Sequence, residues 1–185
     1  MGGAPPAAEG LTFGVFDGGN LGWMRLGWGA AALSSLDFLD EPPHEAARAS
    51  PAPPPEIFGE PLRAYLRGEP EALLGVPIEL EGTPFERRVW EALRRIPWGH
   101  VRSYGEIASE IGSHAGMRAV GQAAGKNPIA IVIPCHRVVA AGHRLGGFSA
   151  GLERKRWLLE HEGVVVDADR VHPGQLDLFG SFRRR

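Results

Sequence analysis

The residues of this chain best suited to covalent chemistry are its only cysteine, Cys135, and the histidine that follows it, His136. A thiol becomes a strong nucleophile when a neighbouring base accepts its proton, and imidazole is such a base. A carboxylate that orients the imidazole would complete a Cys-His-acid relay, and Glu160 and Glu162 lie downstream as candidates. Because most lone cysteines are small core residues, the dipeptide alone leaves a structural and a catalytic role open.

Two kinds of element are predicted to position this pair. An apolar run, IAIVI over 129–133, ends at Pro134 and predicts a buried strand or core segment that holds Cys135 at the edge of a core. Further upstream, Ser103 precedes YGEIASEIG and Glu106 follows three residues later, a spacing typical of a helical capping box. A Gly-Ser-His turn and a second helix, AGMRAVGQAAGKN, complete the pattern of a helix-turn-helix.

The second of these helices is rich in glycine and alanine, although a glycine inside a helix costs about 1 kcal/mol relative to alanine. Close approach to another surface would offset that cost, and this surface can be a neighbouring helix or a nucleic acid. Arg118, a large cation among small residues, favours the nucleic acid. The helix pair alone does not decide between the two.

The first 81 residues have a different character and carry no catalytic pattern. Short apolar stretches over 11–39, with a hairpin connection at 17–20 and a return strand over 23–28, predict a small sheet. Apolar spacing predicts a helix over 57–66, and a final strand is predicted over 76–80. We therefore expect a sheet-plus-helix unit here and an α+β fold for the whole chain.

Charge is divided unevenly along the chain, although the net charge is only −2. The first 81 residues carry 4 basic and 12 acidic side chains, whereas residues 82–163 carry 12 basic and 7 acidic side chains. A basic segment behind an acidic one indicates two domains, of which the second meets a polyanion. We predict domains over 1–81 and 82–166, followed by a flexible tail over 167–185.

The composition also excludes several classes of protein. An apolar fraction of 43% supports packed cores, and no apolar run is long enough to span a bilayer. The first ten residues lack the basic and apolar regions of a secretory signal. A single cysteine rules out an intrachain disulfide and any zinc site that needs two thiolates. We predict a cytoplasmic, monomeric protein with no membrane contact, metal or cofactor.

Several motifs around the cysteine occur together in this chain. NPIAIVIPCHRVV carries it, RAVG precedes it, GGFSAG and LLEHEG follow it, and TPF, VW, IPWG and SYGEIA lie further upstream. In this order and spacing the motifs strongly resemble the O6-alkylguanine-DNA alkyltransferase family, over roughly Thr83 to Val165. The resemblance implies a ribonuclease H-like N-terminal domain and a winged-helix-like C-terminal domain. It also implies DNA repair by irreversible transfer of an alkyl group, chiefly methyl, from O6 of guanine to Cys135.

The resemblance implies roles for the residues around the sulfur atom. His136 would take the thiol proton through a bridging water, and Glu162 would orient the imidazole. Tyr104 would donate a hydrogen bond to the guanine as negative charge develops on the leaving base. Asn127 would brace the connection between the helix-turn-helix and the cysteine segment.

For the guanine, the resemblance implies a pocket made largely by backbone groups. The backbone at Cys135 and Val138 would receive the amino group of the base, and the amide of Ser149 would face O6. Phe148 and Arg137 are assigned to the same pocket. Together these groups would hold a base that has left the duplex.

Extrusion of the nucleotide is required because an O6 adduct lies within the base stack. The resemblance implies docking from the minor-groove side, with Arg118 inserted where the flipped nucleotide was. The expected partner is therefore double-stranded DNA that contains O6-alkylguanine. The residues expected to face this DNA are Ser103, Arg118, Ala119, Gly121, Gln122, Gly125 and Lys126.

Three positions depart from the pattern of the family. Phe148 stands where the family usually has tyrosine, and Ala150 stands where glycine is common. Both lie on the loop that would close the pocket, so they bear on whether alkyl groups bulkier than methyl are accepted. The sequence also leaves open whether O4-alkylthymine is repaired. Glu86 replaces a frequent glutamine at a predicted surface position.

The tail contains a second motif, QLDLF, that resembles the pentapeptide with which bacterial proteins bind the DNA polymerase sliding clamp. An extended segment with apolar anchors can dock into a pocket while it stays unfolded in the free protein. The alternative is that its apolar side chains pack back on the N-terminal domain or have no role. The residues of the motif are Gln175, Leu176, Asp177, Leu178 and Phe179.

Two other functions compete with alkyl transfer. A non-catalytic protein that binds alkyl lesions would explain the helix-turn-helix, but relatives of that kind usually carry tryptophan in place of the acceptor cysteine. A cysteine hydrolase would use Cys135 and His136, but no glycine run for an oxyanion hole precedes the cysteine, and the helix-turn-helix would have no purpose. The sequence therefore favours the alkyltransferase.

Overall fold

The N-terminal part of the chain folds as an antiparallel sheet with one helix. The computed structural model describes residues 10–42, 53–113 and 116–172, and the predicted clamp-binding segment at 175–179 lies outside them. The strands pair in the order β1-β2-β3. These strands and the following helix are β1 (Thr12–Asp17), β2 (Trp23–Trp28), β3 (Leu33–Phe38) and α1 (Glu56–Leu66).

The first two strands form the hairpin that the Asp-Gly-Gly-Asn sequence predicts. The Asp17 carboxylate accepts a hydrogen bond from the backbone N–H of Gly19 at 2.9 Å. Gly22 closes the turn with a φ of 79°, which glycine adopts without a steric penalty. Asp17 pairs with Trp23 next to the turn, so the predicted return strand is confirmed.

The predicted strand over 76–80 is wrong. Only Ile78 pairs with the sheet, as an isolated parallel bridge to Leu33. The backbone N–H of Leu33 donates to Pro77, and that of Glu79 donates to Leu33, both at 2.9 Å. Because proline has no N–H, Pro77 cannot extend the ladder, and the segment leaves the sheet after one bridge.

The C-terminal part is mainly helical, with two short pairs of strands. One pair is parallel and joins the segment before the helix-turn-helix to the segment after Cys135. The other is an antiparallel hairpin near the end of the described chain. The elements are α2 (Pro84–Arg94), β4 (Arg102–Ser103), α3 (Tyr104–Glu110), α4 (Gly116–Gly125), β5 (Val138–Val139), α5 (Leu152–His161), β6 (Val165–Asp167) and β7 (Arg170–His172).

The predicted helix-turn-helix is present as α3 and α4. Ser103 and Glu106 form the expected capping box, in which the Ser103 hydroxyl accepts from the Glu106 N–H at 3.2 Å. The Glu106 carboxylate in turn accepts from the Ser103 N–H at 2.7 Å. A second capping box, made by Thr83 and Glu86, begins α2. Local sequence therefore sets where both helices begin.

Helix α4 has one buried face and one exposed face. On the inner face, Val120, Ala123 and Ala124 are buried, and the indole N–H of Trp90 donates to the Ala123 carbonyl at 2.8 Å. The outer face, with Arg118, is exposed. The tight packing expected within the domain thus occupies one side of the helix only.

The apolar run over 129–133 forms a core segment and not a strand. Its ends make single bridges, Ile129 to Leu36 and Ala130 to Ile133. Ile131 has a φ of 71°, and this left-handed conformation interrupts the extended backbone that a strand needs. A short 3₁₀ helix, Cys135–Arg137, follows Pro134.

One hydrophobic core extends across the predicted domain boundary. Leu36, Leu62 and Tyr65 from the N-terminal part belong to the same buried cluster as Trp90 and Ile133. The mixed α/β architecture is confirmed, whereas the ribonuclease H-like and winged-helix-like descriptions stay predictions.

Among the described residues, no helix is both long and apolar enough to cross a membrane.

Candidate active site

Cys135 lies at the wall of a cavity of about 230 Å³. Its side chain is buried, with 7% of the residue exposed. The cavity brings together four elements of the sequence that are far apart in the chain: the start of α3, the end of α4, the cysteine segment and the loop before α5. The residues that line it are Tyr104, Gly121, Ala124, Gly125, Cys135, Gly147, Phe148 and Ser149.

Asn127 holds the sulfur atom in place. Its amide nitrogen, Nδ2, donates to Cys135 Sγ at 3.0 Å and to the Ile133 carbonyl at 2.7 Å, while its Oδ1 accepts from the Ile129 N–H at 3.0 Å. The side chain therefore ties the segment after α4 to the segment that carries the cysteine. A donor directed at sulfur also favours the thiolate over the thiol.

Behind Cys135, His136 and Glu162 form a buried pair with no exposed surface. His136 Nε2 lies 2.9 Å from Glu162 Oε1. When Nε2 carries the proton and donates it to the carboxylate, Nδ1 is the basic nitrogen. Within the described part of the chain, Nδ1 is buried and has no hydrogen-bond partner, so it is the ring atom available as a proton acceptor.

Arg137 does not line the cavity, in contrast to its predicted place in the guanine pocket. Its guanidinium turns inward, donates to both Glu162 oxygens at 2.7 and 2.9 Å, and donates to the Ile96 carbonyl at 2.6 Å. Only 8% of the residue is exposed. The physical reason is the buried charge of Glu162, which needs a cation beside it.

Electrostatics keep the carboxylate charged and the imidazole neutral. Burial by itself raises the pKa of Glu162, but His136 and Arg137 outweigh it and hold this pKa at about 2. Burial lowers the pKa of His136 below its usual value, although the negative charge of Glu162 acts to raise it. The relay is therefore a neutral base oriented by an ionised acid at neutral pH.

Lys155 is a functional candidate that sequence reasoning missed. It is fully buried, and its ammonium donates to the carbonyls of Val138 at 2.7 Å and Gly147 at 3.0 Å. Burial lowers its pKa to about 8, while the nearby Cys135 opposes the shift. A signal was available: Lys155 shares a helical face with Leu158 and Leu159, where a charge is unexpected.

The pocket residues Val138 and Ser149 occupy different environments. Val138 is buried and does not line the cavity, and one acceptor position of its carbonyl is taken by Lys155. Ser149 lies on the cavity wall beside Phe148. The Phe148 ring meets the edge of Phe38 from β3, with ring centroids 6.3 Å apart. A residue of the N-terminal part thus supports the cavity wall, a contact that sequence reasoning also missed.

Apart from Ser103, which caps α3, the residues expected to face DNA lie on α4 or directly after it, and they differ in exposure and in their contacts. Arg118, Gln122 and Gly125 are exposed, and Ala119 and Gly121 are partly exposed. Lys126 is exposed but pairs with Glu86 at 2.7 Å. The Ser103 hydroxyl is engaged in the cap of α3. Arg118 and Gln122 are therefore the side chains best placed to reach a partner.

Comparison of the sequence with known proteins identifies its relatives. Residues 84–164 match the family described as 6-O-methylguanine DNA methyltransferase, DNA binding domain. The methylated-DNA--protein-cysteine methyltransferase of Mycobacterium tuberculosis (strain ATCC 25618 / H37Rv) is 43% identical over 152 residues, which cover 80% of this chain and 91% of the relative. This chain belongs to the O6-methylguanine DNA methyltransferase family.

Solved structures of the family share the fold beyond the matched segment. The crystal structure of Mycobacterium tuberculosis OGT in complex with DNA superposes with a TM-score of 0.71 at 41% identity, covering 82% of this chain and 92% of that one. The O6-methylguanine-DNA methyltransferase of the hyperthermophilic archaeon Pyrococcus kodakaraensis strain KOD1 gives a TM-score of 0.62 at 30% identity, covering 83% and 99%. The likeness to the family therefore includes the N-terminal part.

Proposed function

We propose that this protein repairs DNA by moving an alkyl group, chiefly methyl, from O6 of guanine to Cys135, once per molecule. Family membership supports the reaction class, and the observation that carries the proposal is the position of Cys135 on the wall of a cavity with His136 and Glu162 behind it. The only cysteine of the chain is thus placed where a ligand can reach it.

The proposed reaction is a displacement at the alkyl carbon. The thiol proton passes to His136 through a bridging water, the thiolate forms the new S–C bond, and the C–O6 bond breaks. The guanine leaves with the electron pair of that bond, and Tyr104, on the cavity wall, donates a hydrogen bond to it as negative charge develops. A thioether offers water no leaving group, so the protein is consumed.

Access to the cavity accounts for the proposed base flipping. A guanine inside a duplex cannot enter a cavity lined by Gly121, Gly125 and Phe148, so the nucleotide must leave the stack. Arg118 is exposed on the same helix as the two glycines and is the proposed wedge that fills the gap from the minor-groove side. The proposed adduct is chiefly methyl, and O4-alkylthymine is proposed as a second substrate.

The test of the proposal is a mass measurement on the intact protein after incubation with duplex that contains O6-methylguanine. We expect one methyl group per molecule, with the modified peptide centred on residue 135, and no gain for Cys135→Ser. A protein that binds the lesion without gaining mass would be the non-catalytic alternative. Turnover of substrate in excess of protein would indicate a hydrolase.

We also propose that the tail binds the sliding clamp, that the protein acts as a monomer, and that it works in the cytoplasm. QLDLF has the apolar anchors of an extended docking peptide. We expect Phe179→Ala to abolish capture of the clamp in a pull-down while Asp169→Ala, an exposed change in the β6–β7 turn, leaves capture intact. Equal capture by both variants would rule out the tail as the clamp-binding segment.

A further inference from the structure

One residue of the N-terminal part reaches the relay. The phenol of Tyr65, on α1, donates to Glu162 Oε1 at 2.7 Å. The same oxygen faces His136 Nε2 at 2.9 Å and accepts from Arg137 Nη2 at 2.9 Å. Three groups therefore share one carboxylate oxygen, and Tyr65 alone comes from the other part of the chain, 97 residues away.

The position of Tyr65 is held by the C-terminal part. Its ring packs edge-on against Trp98, with centroids 5.2 Å apart, and against His161 at 5.4 Å. The His161 side chain also donates from Nε2 to the Tyr65 carbonyl at 2.8 Å. Tyr65 is 1% exposed, so its hydroxyl cannot turn to solvent instead. Its orientation toward Glu162 is thus set from both sides.

At neutral pH the Tyr65 phenol keeps its proton, so it acts as a hydrogen-bond donor to Glu162. Burial, together with the neighbouring charge of Glu162, raises the pKa of Tyr65 well above its ordinary value. A hydroxyl that keeps its proton draws charge from the carboxylate oxygen that it contacts. The same oxygen then attracts the His136 imidazole less strongly.

We propose that Tyr65 is a positioning residue for alkyl transfer, which fixes Glu162 and through it sets the orientation and basicity of His136. This inference rests on the proposed function. It gives the N-terminal part a role in the reaction, through one hydrogen bond from Tyr65 to Glu162.

The effect on pH dependence follows from the groups that face His136. These are Glu162, Arg137, Lys155 and the adjacent Cys135, and Tyr65 acts through Glu162. Without the phenol, Glu162 Oε1 attracts the imidazolium more strongly, so the pKa of His136 rises. Because neutral His136 must accept the thiol proton, the rate of transfer then falls off at a higher pH on the acid side.

The experiment measures the rate constant of methyl transfer from duplex O6-methylguanine against pH for the full chain and for Tyr65→Phe. We expect the plateau rate to drop about tenfold, as for one lost hydrogen bond to a charged group, and the acid limb to move to higher pH. The control is Leu62→Ala, on the same helix and also buried. It removes packing without touching the carboxylate, so it should lower the unfolding midpoint and leave the shape of the profile unchanged.

A second variant shifts the profile the other way. A 3-fluorotyrosine introduced at position 65 is a stronger donor, so the acid limb should move to lower pH. An unshifted profile in both position-65 variants, or the same shift in Leu62→Ala, overturns the positioning role. Failure of the proposed function looks different, because the unaltered protein would then gain no methyl group at any pH.

Discussion

At the level of single residues, the site has to make a nucleophile of a buried thiol. Burial raises the pKa of Cys135, which on its own would leave the sulfur protonated and inert. The hydrogen bond from Asn127 and the positive charge of Lys155 act in the opposite direction. The reactivity of Cys135 therefore depends on a few specific donors, and loss of any one should be measurable.

Lys155→Met should raise the pKa of Cys135 and slow alkyl transfer about tenfold, because the thiolate loses the positive charge beside it. Methionine keeps most of the side-chain volume in the buried site and removes the charge. Because the chain has one cysteine, the difference in absorbance against pH between the protein and its Cys135→Ser variant reports on the Cys135 thiolate. Lys126→Met, a change at an exposed lysine, is the control and should leave the titration where it was.

Motifs in the sequence identified the candidate catalytic residues. The structure brings these residues together at or behind the wall of one cavity: Cys135, His136, Glu162, Asn127 and Tyr104. Contacts that depend on tertiary packing had no local signal. Tyr65 and Phe38 reach the site from the N-terminal part, and nothing near them in the chain marks their partners. Arg137 was also expected in the guanine pocket, but its side chain points to Glu162 instead.

At the level of helices and strands, local chemistry predicted the starts of helices better than it predicted strands. Caps depend on residues three apart, and the capping box predicted at Ser103 and Glu106 forms. Strands depend on partners, which the chain between residues 76 and 80 lacks after a single bridge. The run over 129–133 is apolar enough for a strand, but Ile131 takes a left-handed conformation that ends it.

The outer face of α4 exposes Arg118 to solvent. Arg118→Ala should slow repair of duplex roughly 100-fold, because the cost of an empty gap in the stack is a few kcal/mol. Reaction with the free base O6-methylguanine needs no extrusion and should change little. Arg67→Ala, an exposed arginine of the N-terminal part, serves as control. Equal losses on duplex and free base would contradict the wedge role.

At the level of the whole molecule, the two predicted domains are joined by more than a linker. The buried cluster crosses residue 81, and Arg154 on α5 donates to the carbonyls of Leu21 at 3.2 Å and Leu39 at 2.8 Å. Its guanidinium also lies 5.1 Å from the centre of the Phe38 ring. A unit that shares its core in this way is expected to lose its structure in one step.

Unfolding in urea should therefore be a single transition. Tryptophans lie in both parts, for example Trp28 and Trp90, so fluorescence and far-ultraviolet circular dichroism both sample the whole chain. We expect the two signals to give the same midpoint. Arg154→Met should lower that midpoint without splitting the curve, since it removes contacts between the parts. Two resolved midpoints in the unaltered protein would show that the parts unfold independently.

The two-residue parallel ladder between β4 and β5 has a practical consequence for anyone who redesigns this protein. It pairs Arg102 with Val138 and Ser103 with Val139, so the start of the first helix of the helix-turn-helix is fastened to the stretch just after the nucleophile. A substitution at Ser103, which is expected to face the duplex, is therefore also expected to disturb the segment that follows Cys135. Broader adduct tolerance is better sought at Phe148, whose side chain lines the cavity and is not part of that ladder.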